Sequence, residues 1–387
     1  MEPRKCRLLF WGFGLMNQLA LGISVLAKPM ASADIVAVID RNSARKGKRV
    51  GYVIAGNETA ASWFGGGQPK GALPESVADL VIGDPADAAN VIRQTKPDII
   101  MLATRAFIKE IEGQLSVCID CGVDVICIAE ELLFPWECDV PETAAKLEEK
   151  AKAKGVRILG TGFNDTGWCI PAQTVAGMMI NMSRIEASIT WDCRDYGRAV
   201  SEYQGVTLTP DEFQTQIVEP SLTAPSVDSP AVYSIARGLS LTPAEGTLRH
   251  EFSPVLAKTR LYSSALGAWV EPGRVKGCTV RCIVDTHEGV TVVCESVGFI
   301  FGEDPSLTEG EDVTVTAWGD VPEKMVLKGK DVKGRVLTCT PMVNRIPQLL
   351  AQEPGWVTPD MLAPPPYLAK GVPKIVLDGT GIRRAAK

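Results

Sequence analysis

Within its first forty residues the chain carries an apolar run, Cys6–Trp11 (CRLLFW), then Gly12-Phe13-Gly14, then a helical pattern to about Ala27. A second apolar run, Ile35–Ile39, ends in Asp40. Strand, glycine turn, helix, strand and acid in that order make the first half of a doubly wound parallel sheet. The first glycine makes the tight turn. The second lets the main chain approach a pyrophosphate at the helix N-terminus, where free N–H groups and the helix dipole favour an anion. The third position usually holds Gly or Ala for close packing; here it is Asn17. Gly12, Phe13, Gly14, Leu15 and Met16 are therefore the candidate cradle of a dinucleotide, with an ordinary glycine turn as the plainer alternative. An acid at the position of Asp40 would bond a ribose 2′-hydroxyl and favour NAD. Arg41 beside it, followed by Arg45, Lys46, Lys48 and Arg49, suits a 2′-phosphate instead. The expectation is NADP, with NAD possible.

The pattern continues as strands spaced by helices to about residue 160. Asp79–Val81 is an expected strand, 85–94 a helix, 97–103 a buried strand and 108–121 a helix stopped by Gly122. A strand at 123–129, an amphipathic helix at 141–154 and a strand at 156–159 follow. Residues 56–75 are Gly-rich and read as loop. After Gly162 the character changes. Segments 185–191, 279–284, 289–297 and 313–317 are β-rich and partly alternating, as in antiparallel strands with one wet face. Between them, 196–260 is rich in Pro, Ser and Thr and reads as helices or a lid. Residues 343–350 start a helix, and Pro364–Pro366 form a stiff tail. The expected fold class is α/β. It has an N-terminal Rossmann domain with a doubly wound parallel sheet (1–160) and a β-rich α+β second domain (161–335). A C-terminal segment (336–387) returns to the first domain.

Composition narrows the function. Forty Lys+Arg against 46 Asp+Glu give a net charge of −6, which argues against nucleic acid or a membrane surface, since both partners are polyanions. No apolar run reaches the roughly 18 residues of a membrane span. The N-terminal run is broken by Gly12, Gly14, Asn17 and Gln18 and does not read as a signal peptide. Eleven cysteines, an odd number, do not form a disulfide framework in so long a chain; Cys118 and Cys121 read as two cysteines on one buried helix face. Two histidines make a His-based metal cluster an unpromising reading, and no metal is expected. Reduced thiols point to the cytoplasm.

In a doubly wound sheet, ligands sit beyond the carboxyl ends of the strands. The run 123–129 leads there into Glu130-Glu131-Leu132-Leu133-Phe134-Pro135-Trp136. Two adjacent carboxylates in apolar company cannot both be well solvated, so at least one is a candidate general acid/base or stabiliser of a cation. Read with strand periodicity, the two point opposite ways and only one serves. Thr104 and Arg105 follow the strand ending at Ala103 and are candidate cofactor contacts. The turn Gly160–Trp168 (GTGFNDTGW) suits a pocket entry, with Asn164, Trp168 and Phe134 as candidate substrate wall. Arg105, Arg194 and Arg198 are possible partners of a substrate carboxylate, though each suits an ordinary ion pair better.

Assembled, WGFGLM at 11–16, ATRAFIKEI at 103–111, GVDVICIAEELLFPW at 122–136, GTGFNDTGW at 160–168 and VNRIPQLLAQEPGWVT at 343–358 resemble one family. It is the dihydrodipicolinate-reductase-like oxidoreductases, and within them the branch of 2,4-diaminopentanoate dehydrogenase and the native amine dehydrogenases. The resemblance covers the first ~180 and last ~50 residues well and the middle weakly. It implies a β-sheet domain used for substrate binding and homodimer formation. It implies reversible NAD(P)-dependent deamination of an amine to a ketone plus ammonia through an imine. It places the active-site glutamate at Glu130 or Glu131, leaving the choice open, and sets Asn164 and Asn344 in the nicotinamide region. The family's proline in the 160–168 turn is missing here, and Trp168 is expected to reshape the pocket. A reductase of cyclic imines or carbonyls, a sugar oxidoreductase (whose lysine after the glutamate is lacking) and a silent NAD(P)-binding module are the competing readings.

Overall fold

The computed structural model describes residues 3–26, 32–58, 60–61, 72–222, 224, 226–302, 311–378 and 382–386. The chain divides into two compact units: residues 1–166 with 337–387, and residues 167–336.

The first unit is built on six parallel strands. They are β1 (Arg7–Trp11), β2 (Asp34–Ile39), β3 (Ile99–Leu102), β4 (Asp124–Cys127), β5 (Arg157–Gly160) and a C-terminal strand, Gly355–Val357. Their spatial order is β2-β1-β3-β4-β5, then Gly355–Val357. Parallel sheets are covered on both faces, so their strands are apolar throughout. In β1, Leu8 and Phe10 join one core with Leu19 and Ile23 of α1 (Leu15–Leu26) and Ile346, Leu349 and Leu350 of the C-terminal segment. Leu9 and Trp11 point to the other core. There they meet α3 (Ile108–Asp120) through Ile111 and Leu115, and α4 (Pro141–Lys154) through Leu147 and Ala151. Between β2 and β3, Pro85–Asp87 forms a 3-10 turn that runs into α2 (Ala88–Thr95).

Several expectations change. Asp79–Val81 is not a strand: Asp79 closes the short helix Glu75–Ala78, and only isolated bridges at Val81 and Gly83 remain before Pro85. The 56–75 loop falls largely on residues outside those described. The first unit runs to Thr166 rather than 160. The reason is a fully buried ion pair: Arg345 Nε and Nη2 donate to Asp165 Oδ2 and Oδ1 at 2.9 and 2.6 Å. A second buried pair works the same way, Arg157 with Asp124, and Arg157 also donates to the Leu350 and Arg383 carbonyls. Both hold the C-terminal segment against the parallel sheet.

The second unit is a six-stranded mixed sheet. Its strands are β6 (Met182–Asp192), β7 (Arg249–Leu256), β10 (Val275–Asp285), β11 (Thr291–Phe299), β12 (Asp312–Gly319) and β13 (Lys324–Gly329), with a small hairpin of β8 (Leu261–Ser263) and β9 (Ala268–Val270) alongside. The order is β13-β12-β6-β11-β10-β7, with only β6 and β11 parallel. Helices α5 (Ile170–Ala176) and α6 (Ser229–Gly238) pack on one face. On the other, Arg281 bridges Glu186 and Glu295 at 2.9 and 3.0 Å, the wet face that the alternation implies. The 196–260 segment holds the short helices Arg198–Tyr203 and Pro210–Phe213, then α6 and β7. All eleven cysteines are free thiols. Among the described residues no helix is long and apolar enough to cross a membrane, and none group to hold a metal ion.

Candidate functional site

The glycine turn sits at the carboxyl end of β1, between β2 and β3. Gly12 has φ +84°, and a side chain there would lie 2.4 Å from the Ala103 carbonyl. Only glycine lets β1 and β3 close at this point. A side chain at Gly14 would meet nothing within 4 Å, so the space above it is open. The α1 ladder begins with the Gln18 N–H to the Gly14 carbonyl at 3.0 Å. The N–H groups of Leu15, Met16 and Asn17 precede that ladder, as an anion site at a helix start requires. A cavity of about 640 Å³ opens here. Its lining includes Gly12, Gly14, Asp40, Arg41, Asn42, Ser43, Arg45, Thr104, Arg105 and Gln114.

The structure thus gathers Gly12, Gly14, Asp40, Arg41, Thr104 and Arg105 around one space. Phe13 is fully buried in the core, so only its main chain serves the turn. Leu15 and Met16 are half-buried at the start of α1. Asn344 is buried, and its side-chain oxygen has no partner. An orphaned acceptor costs about 1–3 kcal/mol unless something donates to it, and a nicotinamide carboxamide is such a donor. The open cradle over Gly14 and this orphan both fit a nicotinamide dinucleotide.

Two residues at the turn carry structural bonds. Asp40 lines the cavity. It is buried and accepts from the Phe13 N–H at 2.7 Å, the Asn42 N–H at 2.7 Å and Arg45 Nη1 at 3.0 Å. It braces the glycine turn. Asn17 is no mere substitute for glycine. Its Nδ2 reaches the carbonyls of Trp11, Gly12 and Met101 at 3.1, 2.9 and 3.0 Å, tying the turn to β3. We expect Asn17→Ala to weaken reduced-cofactor binding roughly tenfold, the scale of one or two neutral hydrogen bonds, with kcat little changed. A fluorescence titration of reduced cofactor checks this, and unaltered affinity would count against it.

The two glutamates separate. They lie in a 3-10 turn, Glu130–Leu133, rather than in the strand. A strand's alternation therefore does not apply, but successive residues of a three-per-turn helix still diverge. Glu131 is 3% exposed, and its Oε2 accepts the Ile108 N–H at 2.5 Å, at the start of α3. Burial raises its pKa, offset in part by hydrogen bonds from the Ile108 and Asp139 main chains. Glu130 is half-buried at the carboxyl end of β4. The turn is held hard against β5, since a side chain at Gly160 would lie 2.2 Å from the Leu132 carbonyl. Phe134 is half-buried and stacks edge-on with Trp136 at 5.2 Å. Asn164 is buried next to the Asp165–Arg345 pair. Trp168 is 1% exposed.

The arginines offered for a substrate carboxylate are engaged. Arg105 lines the nucleotide cavity, 3.7 Å from Glu110. Arg194 Nε is held by Asp192 at 3.0 Å, and Arg198 by Glu202 at 2.9 Å. Sequence reasoning did not assign Asn17, Asn42, Ser43, Gln114 or the Asp165–Arg345 pair. The signal for the last lay in view: Asn164-Asp165 and Asn344-Arg345 are matching doublets in two separate motifs.

Comparison with known proteins bears on the whole chain. The family described as 2,4-diaminopentanoate dehydrogenase C-terminal domain matches residues 172–376. The 2,4-diaminopentanoate dehydrogenase of Acetoanaerobium sticklandii is 23% identical over 288 residues, covering 72% of this chain and 76% of that one. The solved amine dehydrogenase of Mycobacterium smegmatis is 28% identical, with a TM-score of 0.76 over 94% of this chain and 98% of that one. A probable dehydrogenase from Thermotoga maritima, 11% identical with a TM-score of 0.52 over 92% and 91%, shares the fold.

Proposed function

The chain belongs to the 2,4-diaminopentanoate dehydrogenase family, an NAD(P)-dependent oxidoreductase, and from that premise we propose that it oxidatively deaminates an amine or a diamino acid of the 2,4-diaminopentanoate kind, with Glu130 as the catalytic carboxylate. The observation that carries the reading is the placement of two features at the carboxyl ends of one parallel sheet. One is a nucleotide cavity over the glycine turn; the other is a half-buried glutamate at the end of β4. The nicotinamide, when bound, supplies the hydride acceptor.

The chain's own residues do the rest. Glu130 takes the proton from the substrate ammonium and hands it to water, so that the nitrogen lone pair is available as the C–H bond breaks. The carboxylate, negative again, stabilises the iminium that forms, and it passes protons as water adds and ammonia leaves. Glu131 holds the start of α3 and so fixes the turn that carries Glu130. Asn344, through its orphaned oxygen, orients the carboxamide. Small-molecule amine, ketone and ammonia are the partners of this chemistry.

The test is growth of the reduced-nicotinamide absorbance when the protein meets NADP⁺ or NAD⁺ and a panel of amines at alkaline pH, headed by 2,4-diaminopentanoate. No growth with any amine, despite cofactor binding, would overturn the reading.

NADP is the favoured cofactor within this proposal. Asp40 is engaged by the glycine turn and by Arg45, while Arg41, Asn42, Ser43 and Arg45 line the same cavity. An acid so engaged does not repel a 2′-phosphate as an uncompensated one would. Arg41→Ala is expected to raise KM for NADP⁺ about tenfold, the loss of one charge-assisted hydrogen bond, and to leave KM for NAD⁺ within about twofold. Equal effects on both cofactors would contradict the assignment.

A further inference from the structure

The cavity over the glycine turn extends past what a pyrophosphate needs. A dinucleotide with its pyrophosphate on the start of α1 and its adenosine ribose at the end of β2 carries its base toward the next strand end, that of β3, and the helix after it. Four residues of that side line the cavity: Thr104 and Arg105 in the turn after β3, and Glu110 and Gln114 on α3. Glu110 and Gln114 are four apart on one helix, so their side chains stand on the same face.

The hydrogen-bonding character of this wall is set by its own contacts. Thr104 Oγ1 donates to Gln114 Oε1 at 2.7 Å. The amide oxygen is thereby engaged, and the amide Nε2, which donates to none of the described residues, is the group left for the cavity. Arg105 Nε stands 3.7 Å from Glu110 Oε1. That is an ion-pair distance, too long for a hydrogen bond. The carboxylate is held beside the cavity with its acceptor sites open. The wall therefore shows one N–H donor next to one acceptor.

Adenine carries the complement along one edge: its 6-amino group donates, and the neighbouring ring nitrogen N1 accepts. We propose that Gln114, oriented by Thr104, and Glu110 read this edge and select an adenine dinucleotide over a 6-oxopurine one. Gln114 Nε2 donates to N1, and the Glu110 carboxylate accepts from the 6-amino group. Hypoxanthine reverses both contacts. Its O6 meets the carboxylate, and its N1–H meets the amide N–H, so each pair becomes a mismatch that leaves buried polar groups unsatisfied. The assignment rests on the dinucleotide reading of the cavity given above.

The test is a fluorescence titration of the full chain with NADPH and with its hypoxanthine counterpart. It is repeated with NADH and its hypoxanthine counterpart, so that the 2′-phosphate drops out of the comparison. Wild type should bind the adenine form at least about tenfold tighter in both series. Glu110→Gln should bind the hypoxanthine form more tightly than wild type does, because an amide can turn to donate to O6. Its preference for adenine should shrink to within about threefold. A residue that only packs would give no such gain. Gln114→Glu keeps the shape and the bond from Thr104 but loses the donor. It should weaken the adenine form about tenfold and the hypoxanthine form less, since N1–H now meets an acceptor. Thermal scans check that both variants fold, and if one does not, the other carries the comparison. Tight binding of NADPH or NADH with no preference between the bases overturns this proposal alone. So does a wild-type preference that survives unchanged in the folded variants. No binding of any of the four dinucleotides sinks the cofactor reading of the cavity and this assignment with it.

Discussion

Arg345→Ala is expected to lower the unfolding midpoint by roughly 6–20 °C. Removing one partner of a buried ion pair costs about 3–5 kcal/mol, because the other charge is left uncompensated. For a unit of this size each kcal/mol shifts the midpoint by about 2–4 °C. The geometry places this pair at the upper end. Both side chains are fully buried, the guanidinium is bidentate on Asp165, and its Nη1 also donates to the Ala363 carbonyl at 2.5 Å and to Gln348 Oε1 at 2.7 Å. Thr161 Oγ1 donates to the same Asp165 carboxylate at 2.7 Å. Stripping the arginine strands all of these. The companion experiment is the double change Asp165→Leu with Arg345→Met. Apolar replacement of both partners is commonly neutral or stabilising, so the double variant should recover most of the lost midpoint. Calorimetric scans of the three proteins check the pair of statements. A single variant within about 2 °C of wild type would mean that the pair is not what holds residues 161–166 to the C-terminal segment. Since Asn164 and Asn344 are the immediate neighbours of the two partners, the single variant should also weaken reduced-cofactor binding.

That ion pair also shows what a sequence can and cannot say. The strand–turn–helix–strand order at 7–39 was legible, because periodicity and glycine placement are local properties. So were the strands at 99–102, 124–127 and 157–160, whose unbroken apolar runs mark a sheet covered on both faces. The cofactor cavity followed from the rule that ligands sit at carboxyl strand ends. What escaped is set by long-range partners. That Asp40 braces the Phe13 N–H depends on where a turn 27 residues away lies in space. Whether Arg345 is surface or core depends on Asp165, 180 residues earlier. The two adjacent glutamates are indistinguishable by composition. Only the position of the α3 N-terminus tells them apart.

The last consequence concerns those glutamates. Glu130→Gln is expected to cut kcat for amine oxidation by about 10²–10⁴-fold, the usual contribution of a positioned acid/base, with cofactor affinity unchanged. Gln keeps the shape and removes both the charge that stabilises the iminium and the site that takes the proton. Glu131→Gln should behave differently. Its carboxylate accepts the Ile108 N–H, and a Gln amide can still accept through its oxygen, so the turn should survive. Its raised pKa fixes the sign of the pH effect. A carboxyl whose folded pKa lies above its unfolded value contributes most below the unfolded pKa, and that contribution is lost as pH rises through the folded pKa. Replacing Glu131 by Gln removes a charge that burial disfavours. Relative to wild type it should therefore gain stability at pH 8 and show little difference at pH 3, while keeping turnover within about tenfold, since the residue acts only by holding α3. Steady-state kinetics on both variants, with thermal scans at the two pH values, separates the roles. Full turnover in Glu130→Gln, or a collapse confined to Glu131→Gln, would reverse the assignment and move the proton chemistry to the buried carboxylate.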